Sequence, residues 1–139
     1  AGTHGGAFAS GAWRTRVLNT ATTNEITGAS LGSNQVTLPA GTYYATASAG
    51  AYQVDHHKLR LFDTTSTADL IISMTMMTNS GDSTTNHTVL AGRFTISGTK
   101  VIELQHRSAA TNNTHGFGHA TSLDGKIEVY ADLHIWKVS

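Results

Sequence analysis

Hydrophobic and polar residues alternate without a break through the closing stretch of the chain, Lys126 to Val138. Ile127, Val129, Ala131, Leu133 and Ile135 fall on one side, and Glu128, Tyr130, Asp132, His134 and Trp136 on the other. Side chains of a strand alternate faces with period two, so the pattern predicts one long strand with an aliphatic face. The other face mixes Tyr and Trp with Asp and His, an amphipathic make-up enriched where proteins meet. The stretch therefore predicts a strand between a core and a partner.

The same period recurs upstream. Thr42 to Tyr52 sets Tyr43, Ala45, Ala47 and Ala49 against Tyr44, Thr46 and Ser48. Val54 to Phe62 sets His57, Leu59 and Leu61 against Lys58, Arg60 and Phe62. His87 to Ile96 aligns Leu90, Gly92, Phe94 and Ile96, and Lys100 to Arg107 aligns Ile102, Leu104 and His106. Further strands are expected at Trp13 to Leu18, around Ile26, at Gln35 to Leu38 and along the apolar run Leu70 to Met77. Ser97-Gly98-Thr99 reads as a hairpin turn. Thr78 to Thr85 and Ser108 to Asp124 read as polar loops. Met74, Met76 and Met77 form an apolar cluster expected by default to fill core, with a promiscuous binding surface as the minority reading. Residues 1–11, rich in Gly and Ala, lack periodicity and read as a flexible lead-in to a domain at 12–139. About eight to ten strands and no helix, with turns every 8–12 residues, predict a β-sandwich or barrel.

Composition narrows the role. The chain has 139 residues, enough for one domain with a single core, and zero formal net charge. No basic field exists to neutralise nucleic-acid phosphates, and no apolar run is long enough for a membrane helix. There is no Cys, which favours folding in a reducing cytosol. The chain opens Ala1-Gly2-Thr3, without Met or a signal segment, and is expected to be a fragment or processed product.

Five segments carry a resemblance: Thr37-Leu38-Pro39-Ala40-Gly41-Thr42-Tyr43-Tyr44, His57 to Phe62, Leu90 to Ile96, Ile102 to His106 and Leu133 to Val138. In order and wording they resemble the C-terminal receptor-binding tip domain of bacteriophage tail fibres. Their layout is also similar to the C1q and tumour-necrosis-factor jelly rolls. The resemblance spans about residues 12–138. It implies an all-β jelly roll of about eight to ten antiparallel strands, assembled as a homotrimer at the distal end of a virion's fibre and folded in the host bacterial cytoplasm. It implies adhesion to a bacterial surface receptor such as a glycan, lipopolysaccharide or capsule, with the fibre shaft lying outside this chain. In that family the last strand lies near the threefold axis, which makes Tyr130, Asp132, His134 and Trp136 the expected trimer interface.

Receptor contacts are expected on loops at one end of the sandwich. The segment Arg107 to His119 carries Arg107, Asn112, Asn113, His115, Phe117 and His119, and Thr78 to Asn86 is a second polar loop. A sugar needs an aromatic ring for its apolar face and planar polar groups for its hydroxyls. Phe117, between two glycines, is the expected platform, unless it plugs its own loop or the trimer seam. Three copies per fibre would raise avidity.

Catalysis and cofactors are not expected. Glu128 and Asp132 would lie about 13 Å apart on one strand, wider than a glycosidase pair, and no Gly-x-Ser-x-Gly elbow occurs. The eight histidines form no His-x-His or His-Glu-x-x-His motif. A metal would need one His per chain gathered on a trimer axis. The alternatives to a non-catalytic fibre tip are a depolymerase or esterase fragment of a tailspike that acts on surface polysaccharide, and a C1q-like signalling trimer.

Overall fold

A computed structural model describes residues 1–139. It contains ten strands and no helix: β1 (Arg14–Thr15), β2 (Ser30–Gly32), β3 (Gln35–Leu38), β4 (Gly41–Tyr52), β5 (Asp55–Asp63), β6 (Ala68–Ile72), β7 (Met76–Thr78), β8 (Thr85–Ile96), β9 (Lys100–Ser108) and β10 (Ala131–Lys137). They form two antiparallel sheets. The three-stranded sheet runs β10–β4–β8. The seven-stranded sheet runs β2–β3–β9–β5–β6, with β1 on β9 and β7 on β5.

The alternating segments supply the core between the sheets. Tyr43, Ala45, Ala47 and Ala49 of β4 and Leu90, Phe94 and Ile96 of β8 meet Leu38, Leu59, Leu61, Ile102 and Leu104 from the other sheet. The alanines keep β4 thin, so the leucines opposite pack close to its backbone. Each fully buried Leu contributes about 1.5–3 kcal/mol of transfer free energy. Tyr43 stacks on Phe94 with ring centroids 5.5 Å apart, and its hydroxyl donates to the Pro39 carbonyl at 2.7 Å. A buried Tyr thus keeps its hydrogen bond.

Several expectations are corrected. The closing strand begins at Ala131, not Lys126. Ala131, Leu133 and Ile135 do pack on the core, but Ile127 and Val129 lie before the strand, 82% and 69% exposed. Ser97–Thr99 is no hairpin: β8 and β9 belong to different sheets, and the turn carries the chain across the sandwich. The run Leu70 to Met77 splits at Ser73–Thr75, because the Ser73 hydroxyl accepts the Leu59 N–H that an edge strand would otherwise bind. The methionines are not core filler. Met74 is 75% exposed and Met77 56%. The short strand lies at Ser30–Gly32, paired with β3, rather than around Ile26. Of Trp13 to Leu18, only Arg14 and Thr15 pair.

Residues 1–11 are not a free lead-in. Phe8 is fully buried beside Ala51, Val54 and Phe117. Its backbone exchanges hydrogen bonds with Asn112, and the Gly5 N–H donates to the Gly118 carbonyl at 2.9 Å. One aromatic anchor with main-chain pairing leaves no periodic trace in the sequence.

Candidate binding surfaces

Two surfaces stand out, one on a sheet face and one at a loop end. On the three-stranded sheet the inward residues of β4 are core, so Tyr44, Thr46 and Ser48 point outward. The ladder sets Trp136 opposite Tyr44, His134 opposite Thr46 and Asp132 opposite Ser48, while Arg93, Ala91 and Val89 flank them on β8. Nothing in the chain covers this face. Trp136 is 53% exposed, Tyr44 41% and Val89 46%. Tyr44 and Trp136 rings lie 6.0 Å apart, and His134 stacks on Trp136 at 6.1 Å with an interplanar angle of 18°. The Asp132 carboxylate accepts from both the Ser48 N–H and hydroxyl at 2.8 and 2.7 Å, and its second oxygen lies 3.5 Å from His134 Nε2. The face is a platform of rings and small hydroxyl and methyl groups, with few charges.

Asp132, His134 and Trp136 therefore share the face expected of them, and Tyr130 does not. Tyr130 precedes β10, and its hydroxyl donates to the Thr3 carbonyl at 2.8 Å. Its ring lies so close over Gly118 that a methyl group there would fall inside it. Tyr130 clamps the N-terminal segment.

The second surface is the end where β4, β7 and β9 finish and β5, β8 and β10 begin. Both loops singled out in the sequence lie there. Asn112 organises the longer one: its side-chain oxygen accepts from the N–H groups of Thr114 and His115 at 3.1 and 3.0 Å, and its amide donates to the Tyr52 carbonyl at 3.4 Å. His115, His119 and His4 gather with ring centroids 4.3–4.9 Å apart, and Tyr52 lies 5.0 Å from His119. Partial burial, then the neighbouring His4 and His119 rings, hold the His115 pKa below its ordinary value. No group of three or more His, Asp or Glu has the geometry to hold a metal. Asn113 and His119 are exposed on the loop, and Arg107 is exposed on the outer face of the seven-stranded sheet.

Phe117 is not a free stacking platform. Its ring packs on Phe8 at 4.5 Å, and the Arg16 guanidinium carbon sits 4.1 Å above it. The ring plugs its own loop, one of the two roles the sequence left open for it.

Beneath this end lies a polar hub that the sequence did not announce. Arg16 is only 2% exposed and has no carboxylate partner. Its guanidinium donates to the carbonyls of Gly50 at 3.3 Å, Phe117 at 3.0 Å and Tyr130 at 2.7 Å. Burial lowers its pKa to about 9, so it stays charged at neutral pH. Beside it the Asn86 amide donates to the Met77 carbonyl and turns its oxygen to His57 Nε2, 2.6 Å away. With Asn86 so assigned, His57 Nε2 carries the proton and Nδ1 accepts from His106 Nε2 at 2.9 Å. His106 Nδ1 is left a buried lone pair without a partner. Burial, then the Arg16 charge, then His57, pushes the His106 pKa down to about 2. Burial also lowers that of His57. Both rings are neutral in the folded protein at physiological pH.

No protein-family model matches the chain, and no curated protein matches it in sequence.

Proposed function

We propose that the chain is the receptor-binding tip of a bacteriophage tail fibre, a jelly-roll homotrimer that adheres to a bacterial surface glycan, lipopolysaccharide or capsule without chemistry. The observation that carries the reading is the uncovered face of β10–β4–β8. Tyr44, His134 and Trp136 lie there among Thr46, Ser48, Ala91 and Val89, with only Arg93 and Asp132 for charge near the rings. Such a face is more apolar and more aromatic than an ordinary surface, as the cores of protein interfaces are. Two further copies of itself around a threefold axis are the cover that the reading assigns to it.

Strand order adds support. Successive long strands change sheets: β4 lies in the three-stranded sheet, β5 in the other, β8 back in the first, β9 in the second and β10 in the first again. This alternation is the winding that a jelly roll requires. At the loop end Arg16 and Asn112 hold the segment 109–130 in shape before a receptor arrives. A loop ordered in advance loses less entropy on binding.

The test is a screen of the purified protein against capsular polysaccharides and lipopolysaccharides from a panel of bacterial strains, with release of reducing ends and acetate monitored in parallel. Binding to the glycans of a few strains, without released product, is the expected result. Binding to none contradicts adhesion, and released product replaces it with the depolymerase or esterase reading.

A further inference from the structure

We infer that the outer face of the seven-stranded sheet carries an anion-binding pocket, built from His56, Lys58 and Arg107, that takes the carboxylate or phosphate group of an acidic sugar. This deepens the adhesion reading and rests on it for the source of the sugar, though not for the pocket itself.

The pocket follows from how the sheet edge is interrupted. Along β5, β7 pairs with Asp55 to His57 and β6 pairs with Arg60 to Asp63. The break at Ser73–Thr75 leaves Lys58 with no edge-strand residue opposite. The gap is a concavity of about 290 Å³ lined by seven residues, among them His56, Lys58, Thr75 and Arg107. It is a shallow depression open to solvent, with room to seat one charged group.

Its charge is unbalanced. Lys58 stands directly opposite Arg107 in the β5–β9 ladder. Like charges so placed repel and destabilise a sheet. His56 is the next residue on the same face. No carboxylate lies within 4.0 Å of any of the three. Neither the Lys58 ammonium nor the His56 ring has a hydrogen-bond partner in the chain. Arg107 makes one contact, to the Gly11 carbonyl at 3.5 Å, at the limit of a hydrogen bond.

The neighbouring cation is handled differently. Arg60, two residues along β5, is paired with Asp69 at 2.8 Å, bonded to Gln105 at 2.8 Å and held against the rings of Trp13 and Phe62 at 4.3 and 3.9 Å. The nearest acid in sequence, Asp55, is turned away to accept the Ser80 N–H at 2.9 Å. In a chain with only 13% charged residues, two facing cations and an imidazole around one depression match an oxyanion. Arg offers a fork of donors and Lys a point charge for that geometry.

The experiment is an NMR titration at constant ionic strength with sodium phosphate, glucose 6-phosphate, glucuronic acid and glucose. The anions are expected to give saturable shifts at His56, Lys58 and Arg107, and glucose none at equal concentration. Lys58→Gln/Arg107→Gln is expected to weaken anion binding at least tenfold, while Lys137→Gln, at the far end of the sandwich, leaves it unchanged. Tighter binding of glucose 6-phosphate than glucuronate identifies phosphate as the group preferred, and the reverse identifies carboxylate. No saturable shift at these residues, an equal response to glucose, or unchanged binding in the double variant overturns the pocket. If the anions bind but no bacterial glycan does, the pocket stands and the adhesion reading falls.

Discussion

The two halves of the interior are built on opposite principles. Between the sheets the core is aliphatic and aromatic, and its buried hydroxyls are satisfied, Tyr43 on the Pro39 carbonyl at 2.7 Å and Thr88 on the Met74 carbonyl at 3.0 Å. Beneath the loop end the interior holds a buried cation, two neutral histidines and the plugs Phe8 and Phe117. The first half is non-directional and stabilises by area removed from water. The second is directional: Arg16 aims donors at three backbone carbonyls and fixes where residues 117 and 130 run relative to β4. The first half supplies the buried apolar area that holds the two sheets together. The second serves the shape of the loops, the part the adhesion reading assigns to recognition.

Substitutions should separate the halves. The largest effect is expected in the aliphatic half. Leu104→Ala, at a fully buried position, leaves a cavity between the sheets and should cost about 2–5 kcal/mol. Urea denaturation checks it, and protection from hydrogen exchange should fall uniformly across both sheets.

Arg16→Met comes next, at about 3 kcal/mol, because the half-buried carbonyls of Gly50 and Phe117 lose the guanidinium and that of Tyr130 keeps only the Gly50 N–H. Here the pattern differs from the first: exchange should accelerate at Gly5, Phe117 and Gly118, and little at Leu61 or Leu90. Uniform loss in both variants would erase the distinction between the halves.

The third effect is a pH dependence confined to the polar half. His106 has its folded pKa pushed down to about 2, against about 6.5 in an unfolded chain. The unfolded state therefore binds more protons at acid pH. The contribution of His106 is fully present above about pH 6.5 and is lost as pH falls below it, reaching about 2 kcal/mol by pH 5. His57 is shifted the same way and steepens the loss. Denaturation midpoints at pH 7, 6 and 5 measure it. The slope should shrink in His106→Phe, and an unchanged slope contradicts the assignment.

The smallest effect is expected from Asn112→Ala. The change removes acceptors from the Thr114 and His115 N–H groups, both near solvent. It should cost about 1 kcal/mol and broaden the NMR signals of residues 113–119 without touching the sheets.

The aliphatic half was legible in the sequence and the polar half was not. β4, β5, β8 and β9 follow from alternation because each has one face in the core, and burial is what enforces period two. The same rule overran at Lys126 to Tyr130, where Ile127 and Val129 alternate with no core beneath them. It also joined Leu70 to Met77, where one Ser hydroxyl on the Leu59 N–H divides the strand. Arg16 gave no signal, since an isolated Arg reads as a surface residue. Phe8 gave little, as one anchor has no period. His106 was legible in part, as the polar member of an apolar face beside Ile102 and Leu104. On the open face, the alternation of β10 identified Asp132, His134 and Trp136. The same argument applied to β4 reaches Tyr44, and only the strand register shows that it sits beside Trp136. Lys58 and Arg107 are far apart in the chain, and their meeting across two strands is visible only in three dimensions.

The proposed cover of the β10–β4–β8 face by copies of this chain can be measured by sedimentation equilibrium at micromolar concentration. The predicted result is a mass three times the 14.7 kDa of one chain, falling to that of a monomer in Trp136→Arg/Ala91→Glu while the circular dichroism spectrum stays that of a folded β protein. A mass of 14.7 kDa for the unaltered protein, or a trimer that survives both substitutions, would contradict it.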